Sequence, residues 1–103
     1  MISVYITCKD MKEAKLIATR LLEKKLIACA NIFPIKSMFT WKGKIVDEHE
    51  VALISKTRQE KFDRIKEETR ELHSYDIPCI VALPWHDSDE EFKKWVESET
   101  NTG

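Results

Sequence analysis

Residues 26–57 read LIACANIFPIKSMFTWKGKIVDEHEVALISKT, two long strands joined at Lys42 and Gly43. Val, Ile, Phe, Thr and Trp are frequent in the stretch, and its one Gly sits where a two-residue hairpin loop needs positive φ. Each arm holds about 14 to 16 residues, a reach of roughly 45–50 Å at the rise of an extended strand. A globule of this chain length has a radius of gyration of about 13 Å and a diameter of roughly 35 Å. The hairpin is therefore longer than the body it grows from, so it bends or its tip leaves the monomer. Pro34 cannot donate to a ladder and marks a bulge or an edge. Beyond it, Ile35, Met38, Phe39, Trp41 and Ile45 are too apolar for an arm standing alone in water. A partner chain is expected, most simply another copy of this one.

Upstream, residues 1–7 alternate, with Ile2, Val4 and Ile6 on one side and Ser3, Tyr5 and Thr7 on the other, a strand with two different faces. Asp10 caps a helix, with Glu13 in the capping-box position. Ala14, Ile17, Ala18, Leu21 and Leu22 form its apolar stripe, and it ends near Lys24 and Lys25, where cations suit the negative end of the dipole. Downstream, Thr57 to Glu60 matches a second capping box. The helix it opens turns Phe62, Ile65, Thr69 and Leu72 inward and stops near residues 73–76, and Pro78 prevents resumption. Residues 79–83 are continuously apolar, as in a strand covered on both faces, and Pro84 ends it. Ser88 to Glu91 is a third capping box, before a short helix with Phe92, Trp95 and Val96 on one stripe; residues 101–103 are expected to fray.

The order β-α-β-β-α-β-α predicts an α+β fold over residues 1–103. It is a ferredoxin-like sandwich, a four-stranded antiparallel sheet with two helices on one face and a short extra C-terminal helix. The opposite sheet face has its own apolar residues and no third layer within the chain to cover it. Neighbouring copies are the economical cover, in agreement with the overlong hairpin.

The 103 residues make a single domain. Apolar residues at 43% and charged residues at 34% describe an ordinary globule. A formal net charge of −1 leaves no basic footprint for nucleic acid. No apolar run approaches a membrane span, and no leader pattern precedes the first strand. Cys8, Cys29 and Cys79 are odd in number and widely spaced, which argues against a disulfide framework and for a reducing cytoplasm.

Metal-binding motifs with compact spacing are absent: no C-x-x-C, no H-x-x-x-H and no H-E-x-x-H. Cys29 reads as a small buried hydrophobe or as a soft thiolate for a copper-like ion, one from each copy around an axis. Cys8 and Cys79 are explained by packing. In the run Asp47-Glu48-His49-Glu50 alternate residues face opposite ways, so only pairs share an ion, and a solvated arm is the simpler reading. His73 either caps helix carbonyls or lines a cleft with Tyr75. Two glycines exclude a glycine-rich phosphate cradle, and no serine sits in a G-x-S-x-G setting, so the chain is not expected to be an enzyme.

At these residues the sequence resembles the CutA family of divalent-cation tolerance proteins, along nearly its whole length. Residues 26–31, LIACAN, resemble the segment around the family's cysteine, and residues 39–45, FTWKGKI, its aromatic-Trp-x-Gly-Lys hairpin tip. Glu48, Glu50 and residues 54–57, ISKT, resemble its third strand. Residues 72–78, LHSYDIP, resemble its His-Pro-Tyr-x-x-Pro turn, and Trp95 resembles its terminal-helix Trp. The resemblance implies a homotrimer, architecturally similar to PII signalling proteins, with hairpins exchanged between subunits. It also implies a cytoplasmic response to copper and other divalent metal ions, with no obligatory cofactor. Two departures stand out. Ser74 replaces the family's usual Pro, which is expected to loosen the turn that positions His73. Where some members carry an additional Cys or His, this chain has Ile6 and Leu72. Cys29 and His73 carry over as metal ligands. The alternative is a PII-like sensor or interaction scaffold whose inter-subunit cleft, lined by Trp41, Glu50, Lys56, His73, Tyr75 and Trp95, takes a small anionic ligand or a partner, with Lys56 supplying charge.

Overall fold

The fold was analysed in a computed structural model that describes residues 1–101. The chain runs β1 (Ile2–Cys8), α1 (Met11–Glu23), β2 (Cys29–Trp41), β3 (Lys44–Thr57), a 3-10 turn (Gln59–Lys61), α2 (Phe62–Leu72), β4 (Ile80–Pro84) and α3 (Glu90–Glu99). The sheet has the strand order β2-β3-β1-β4 with every neighbour antiparallel, as a ferredoxin-like sandwich requires. The alternation of β1 carries the core. Ile2, Val4, Ile6 and Cys8 are buried together with Ala14, Ile17, Ala18 and Leu21 of α1 and Ile65 of α2. Each fully buried Ile or Leu there contributes about 1.5–3 kcal/mol of burial free energy. Across the helix pair, Glu68 of α2 binds Arg20 at 3.0 Å and Lys24 at 2.6 Å.

The hairpin is as long as the sequence demands. Its arms are 13 and 14 residues, paired without interruption from Cys29–Lys56 to Trp41–Lys44. The turn takes positive φ at both Lys42 (50°) and Gly43 (78°), the type I′ geometry that matches strand twist. Pro34 causes no bulge; it lies on the edge strand opposite Val51, where a missing N–H costs the sheet nothing. β1 ends at Cys8, which also pairs with Val51, so residues 35–50 are a two-stranded arm beyond the sheet. The arm stretches the molecule to 45 × 27 × 20 Å. On it Ile45 is 76% exposed and Met38 68%.

Helix boundaries separate what is local from what is not. Asp10 caps α1, its Oδ1 accepting the Glu13 N–H at 2.8 Å. The end of α1 closes by backbone geometry: Leu26 N–H bonds Leu21 O at 2.9 Å and Lys25 N–H bonds Leu22 O at 3.0 Å, with Lys25 at φ 57°. That is a Schellman motif with lysine in the left-handed position. The second capping box is not formed. Thr57 ends β3 and its Oγ1 donates to Leu26 O at 2.6 Å, so a 3-10 turn without a side-chain cap precedes α2. At α3 the cap is Asp89, one residue after Ser88, accepting from Phe92 N–H at 3.1 Å. β4 begins at Ile80 rather than Cys79 and is covered on one face only; Val81 and Leu83, on the open face, are 44% and 47% exposed. The open sheet face is covered only in part within one chain: Trp85 Nε1 donates to Ser3 Oγ at 2.8 Å, Tyr75 reaches Glu50, and Val81 and Leu83 stay exposed.

Candidate functional site

α2 hands the chain to β4 through residues 73–79, and that turn is held by α1. The His73 N–H caps α2 on Thr69 O, and the residue then leaves the helix with ψ 140°. Its ring is buried, with 1% of the side chain exposed. Nδ1 accepts the Tyr75 N–H at 3.1 Å, which requires the proton on Nε2, donated to Thr7 O at 2.7 Å. Glu13 completes the anchor: Oε1 accepts the Lys9 N–H and Oε2 the Ser74 N–H, each at 3.0 Å. A proline at position 74 has no such N–H to give. Ser74 therefore ties the turn to α1 rather than loosening it.

Cys8, Glu13 and His73 bring their donor atoms within 4.8 Å of one another, a thiol–carboxylate–imidazole group that sequence spacing did not single out. Glu13 had read only as a capping residue and Cys8 only as packing. The group is a closed polar network in the state described. Burial would raise the Glu13 carboxyl, but the hydrogen bonds from Ser74 and the Lys9 amide outweigh it and hold the group below the usual carboxylate range. Burial, with the charges of Glu13, Glu50 and Asp10, pushes the Cys8 thiol up to about 12. An ion at His73 Nε2 would displace the Thr7 bond while Nδ1 still accepts from Tyr75, leaving the ring no proton at all.

The turn also delivers Tyr75 to the open face, with its ring centroid 4.8 Å from that of His73. The Tyr75 hydroxyl donates to Glu50 Oε2 at 2.5 Å, joining the turn to the base of the arm. Between them lies an open cleft of about 880 Å³, floored by Tyr5 and Thr7 and walled by Phe39, Trp41, Glu48 and Glu50. Burial, then Glu50, Glu48 and Glu13, raise the phenol well above its ordinary value, so it stays a neutral donor. The lining holds three carboxylates, Glu48, Glu50 and Asp76, against one cation, Lys36, which pairs with Asp47 at 2.8 Å.

Of the residues expected to line a cleft, Trp41, Glu50 and Tyr75 meet in this cavity. Lys56 does not. It lies between Ser3 and Cys29 in the register and hydrogen-bonds Asn31 Oδ1. Trp95 does not either; it stacks on Phe92 of α3 at 5.9 Å, and Phe92 stacks on Trp85. Cys29 opens β2 on the open face and is partly buried. His73 rests on Thr7, four residues along β1 from the Cys29 row and with β3 between. Strand spacing separates the two positions by something on the order of 15 Å, so one chain does not bring Cys29 and His73 to one ion. Cys79 lines the cleft as a free thiol.

Comparison with known proteins agrees with the fold. Residues 2–99 match the family model described as CutA1 divalent ion tolerance protein. The divalent-cation tolerance protein CutA of Archaeoglobus fulgidus is 52% identical over 94 residues, covering 91% of this chain and 92% of that protein. The Pyrococcus horikoshii protein of the same name is 40% identical over 100 residues, covering 97% and 98%. Among solved structures, the periplasmic divalent cation tolerance protein CutA from Archaeoglobus fulgidus superposes with a TM-score of 0.95 at 49% identity, over 97% of this chain and 98% of that one. The PII-like protein CutA from Nostoc, in apo form, gives 0.90 at 30% identity over 98% of each chain. A family match over residues 2–99 and a relative 52% identical over 91% of the chain leave one assignment: this chain belongs to the CutA1 divalent ion tolerance family.

Proposed function

We propose that this chain serves divalent-cation tolerance as a cytoplasmic homotrimer that binds copper or a similar ion and catalyses no reaction. The observation that carries the reading is the placement of a half-buried Cys29 on the open sheet face. Among the described residues, the donor-rich group at His73 is closed by its own hydrogen bonds. Cys29 instead offers one partly exposed thiol per chain. One thiolate does not make a metal site, but copies packed face to face supply several soft donors to one ion. Assembly is then part of the site, and His73 serves it by holding the turn. The exposed arm and open face support the assembly. The family's role in divalent ion tolerance supports the ion.

Native mass spectrometry of reduced, chelator-stripped protein tests this directly, with and without stoichiometric copper. A trimer that gains a defined number of copper ions is expected, with the uptake lost in Cys29→Ser and kept in Cys8→Ser. Uptake unchanged in Cys29→Ser removes the site, and a monomer at micromolar concentration removes the assembly. A second reading, a sensor or scaffold that takes a small molecule, is favoured by the cleft, whose volume falls in the range of small-molecule sites.

A further inference from the structure

We propose that the cleft beside Tyr75 binds a small organic cation, a primary ammonium or guanidinium on a short apolar chain, with Glu50 as its charge partner. This rests on the reading of the cleft as a small-molecule site and reverses the sign expected for its ligand. Glu50 is 7% exposed, yet it forms no ion pair with any Lys, Arg or His of the described chain. One carboxylate oxygen accepts from Tyr75, and the other has no protein donor among the described residues. That second oxygen is left free to accept from a cationic ligand in the cleft, a charge-assisted bond stronger than one to a neutral donor.

The rest of the lining fits the same chemistry. Glu48 and Glu50 are two residues apart on β3 and share the face toward the cleft, across from Ser37 and Ile35 of β2. Phe39 and Trp41 of β2 line the cleft on that same face, and Met38 adjoins them. Aromatic faces attract cations, and a methylene chain packs on them. Lys36, the one cation in the lining, is already bound to Asp47. A bare divalent ion fits less well. Glu48, Glu50 and Asp76 do not converge as a donor group, whereas Cys8, Glu13 and His73 do. An anion would meet three carboxylates.

Butylammonium, butyrate and magnesium, titrated at constant ionic strength against the oligomeric protein, separate the outcomes by thermal shift and isothermal calorimetry. Butylammonium is expected to give a saturable rise in Tm that the other two do not. Glu50→Gln, which keeps an acceptor for Tyr75, is expected to weaken that binding about 10-fold or more, the loss of one charge-assisted hydrogen bond. A response to butyrate in place of butylammonium overturns the cation and keeps the cleft as a ligand site; silence to all three overturns both. A magnesium response lost in Glu50→Gln makes this a hard-cation site and overturns the organic ligand. Oligomer dissociation in Glu50→Gln, read by native mass spectrometry, assigns the counter-charge to a second copy and overturns the proposal as well.

Discussion

At the scale of single residues, Glu13 does more than its sequence context suggests. Position three after an N-cap announced a helix start, and that much was legible, because a capping box is complete within four residues. Its second role was not. The Ser74 amide it accepts lies 61 residues away, and only the packed fold brings the two together. The same holds for His73: the sequence offered a cap or a cleft residue, and the ring instead bridges Thr7 and Tyr75 as a buried neutral imidazole. Glu13→Gln puts an NH2 group against one of two N–H donors and is expected to destabilise the protein by about 2 kcal/mol at neutral pH. The pH dependence has a definite sign. The folded Glu13 carboxyl lies below its ordinary 4.5, so its stabilisation is fully present above that pH and is lost as pH falls through the folded value. Urea unfolding of both proteins between pH 7 and pH 3 checks it (pH values chosen around the usual carboxylate range, about 4). The gap between them is expected to stay constant above about pH 5 and to narrow in acid.

At the scale of elements, what the sequence made legible depends on whether partners are near in the chain. The hairpin was readable from strand propensity, one glycine and length, since its turn and register are local. Thr57 was misread for the opposite reason. Its hydroxyl is spent on Leu26 O, 31 residues upstream, where it locks the end of α1 to the end of β3. The α1 terminus shows both effects. Lys24 and Lys25 correctly signalled the stop, but the stop is made by a Schellman turn that forces Lys25 to φ 57°. A left-handed L-residue costs about 1–2 kcal/mol, and glycine at that position gives back part of it through its freer unfolded chain. Lys25→Gly is therefore expected to stabilise the protein by about 0.5–1 kcal/mol, read as a shift in urea midpoint at unchanged slope. A fall in the midpoint would mean that the lysine makes a compensating contact in the assembled protein.

At the scale of the whole molecule, the candidate site was half legible. Trp41, Glu50 and Tyr75 come from three segments and meet within one chain, where a cleft between subunits was expected, because each lies on the open face or on the turn that overhangs it. Lys56 lies on the same face but at the wrong end, and register rather than composition decides that. The arm leads to the last expectation. Residues 35–50 have no third strand, and Met38 and Ile45 are the most exposed large apolar side chains on them. In the register they face away from Glu48 and Glu50, but Met38 still borders the cleft, so the variant reports on assembly and not on cleft binding. An isolated hairpin of this length is at best marginal in water, and the proposed assembly supplies the cover it needs. The Met38→Lys, Ile45→Lys double variant is expected to shift the protein from the proposed trimer toward monomer in light scattering. The Tm of the parent is expected to rise with protein concentration, as mass action requires of an associating fold, and that dependence is expected to flatten in the variant. Circular dichroism should retain both helices, because their core of Ile2, Ile6, Ile17, Leu21 and Ile65 lies wholly within one chain. A variant that stays trimeric would place the subunit contact on the open face alone, with the arm as an outrigger rather than a clasp.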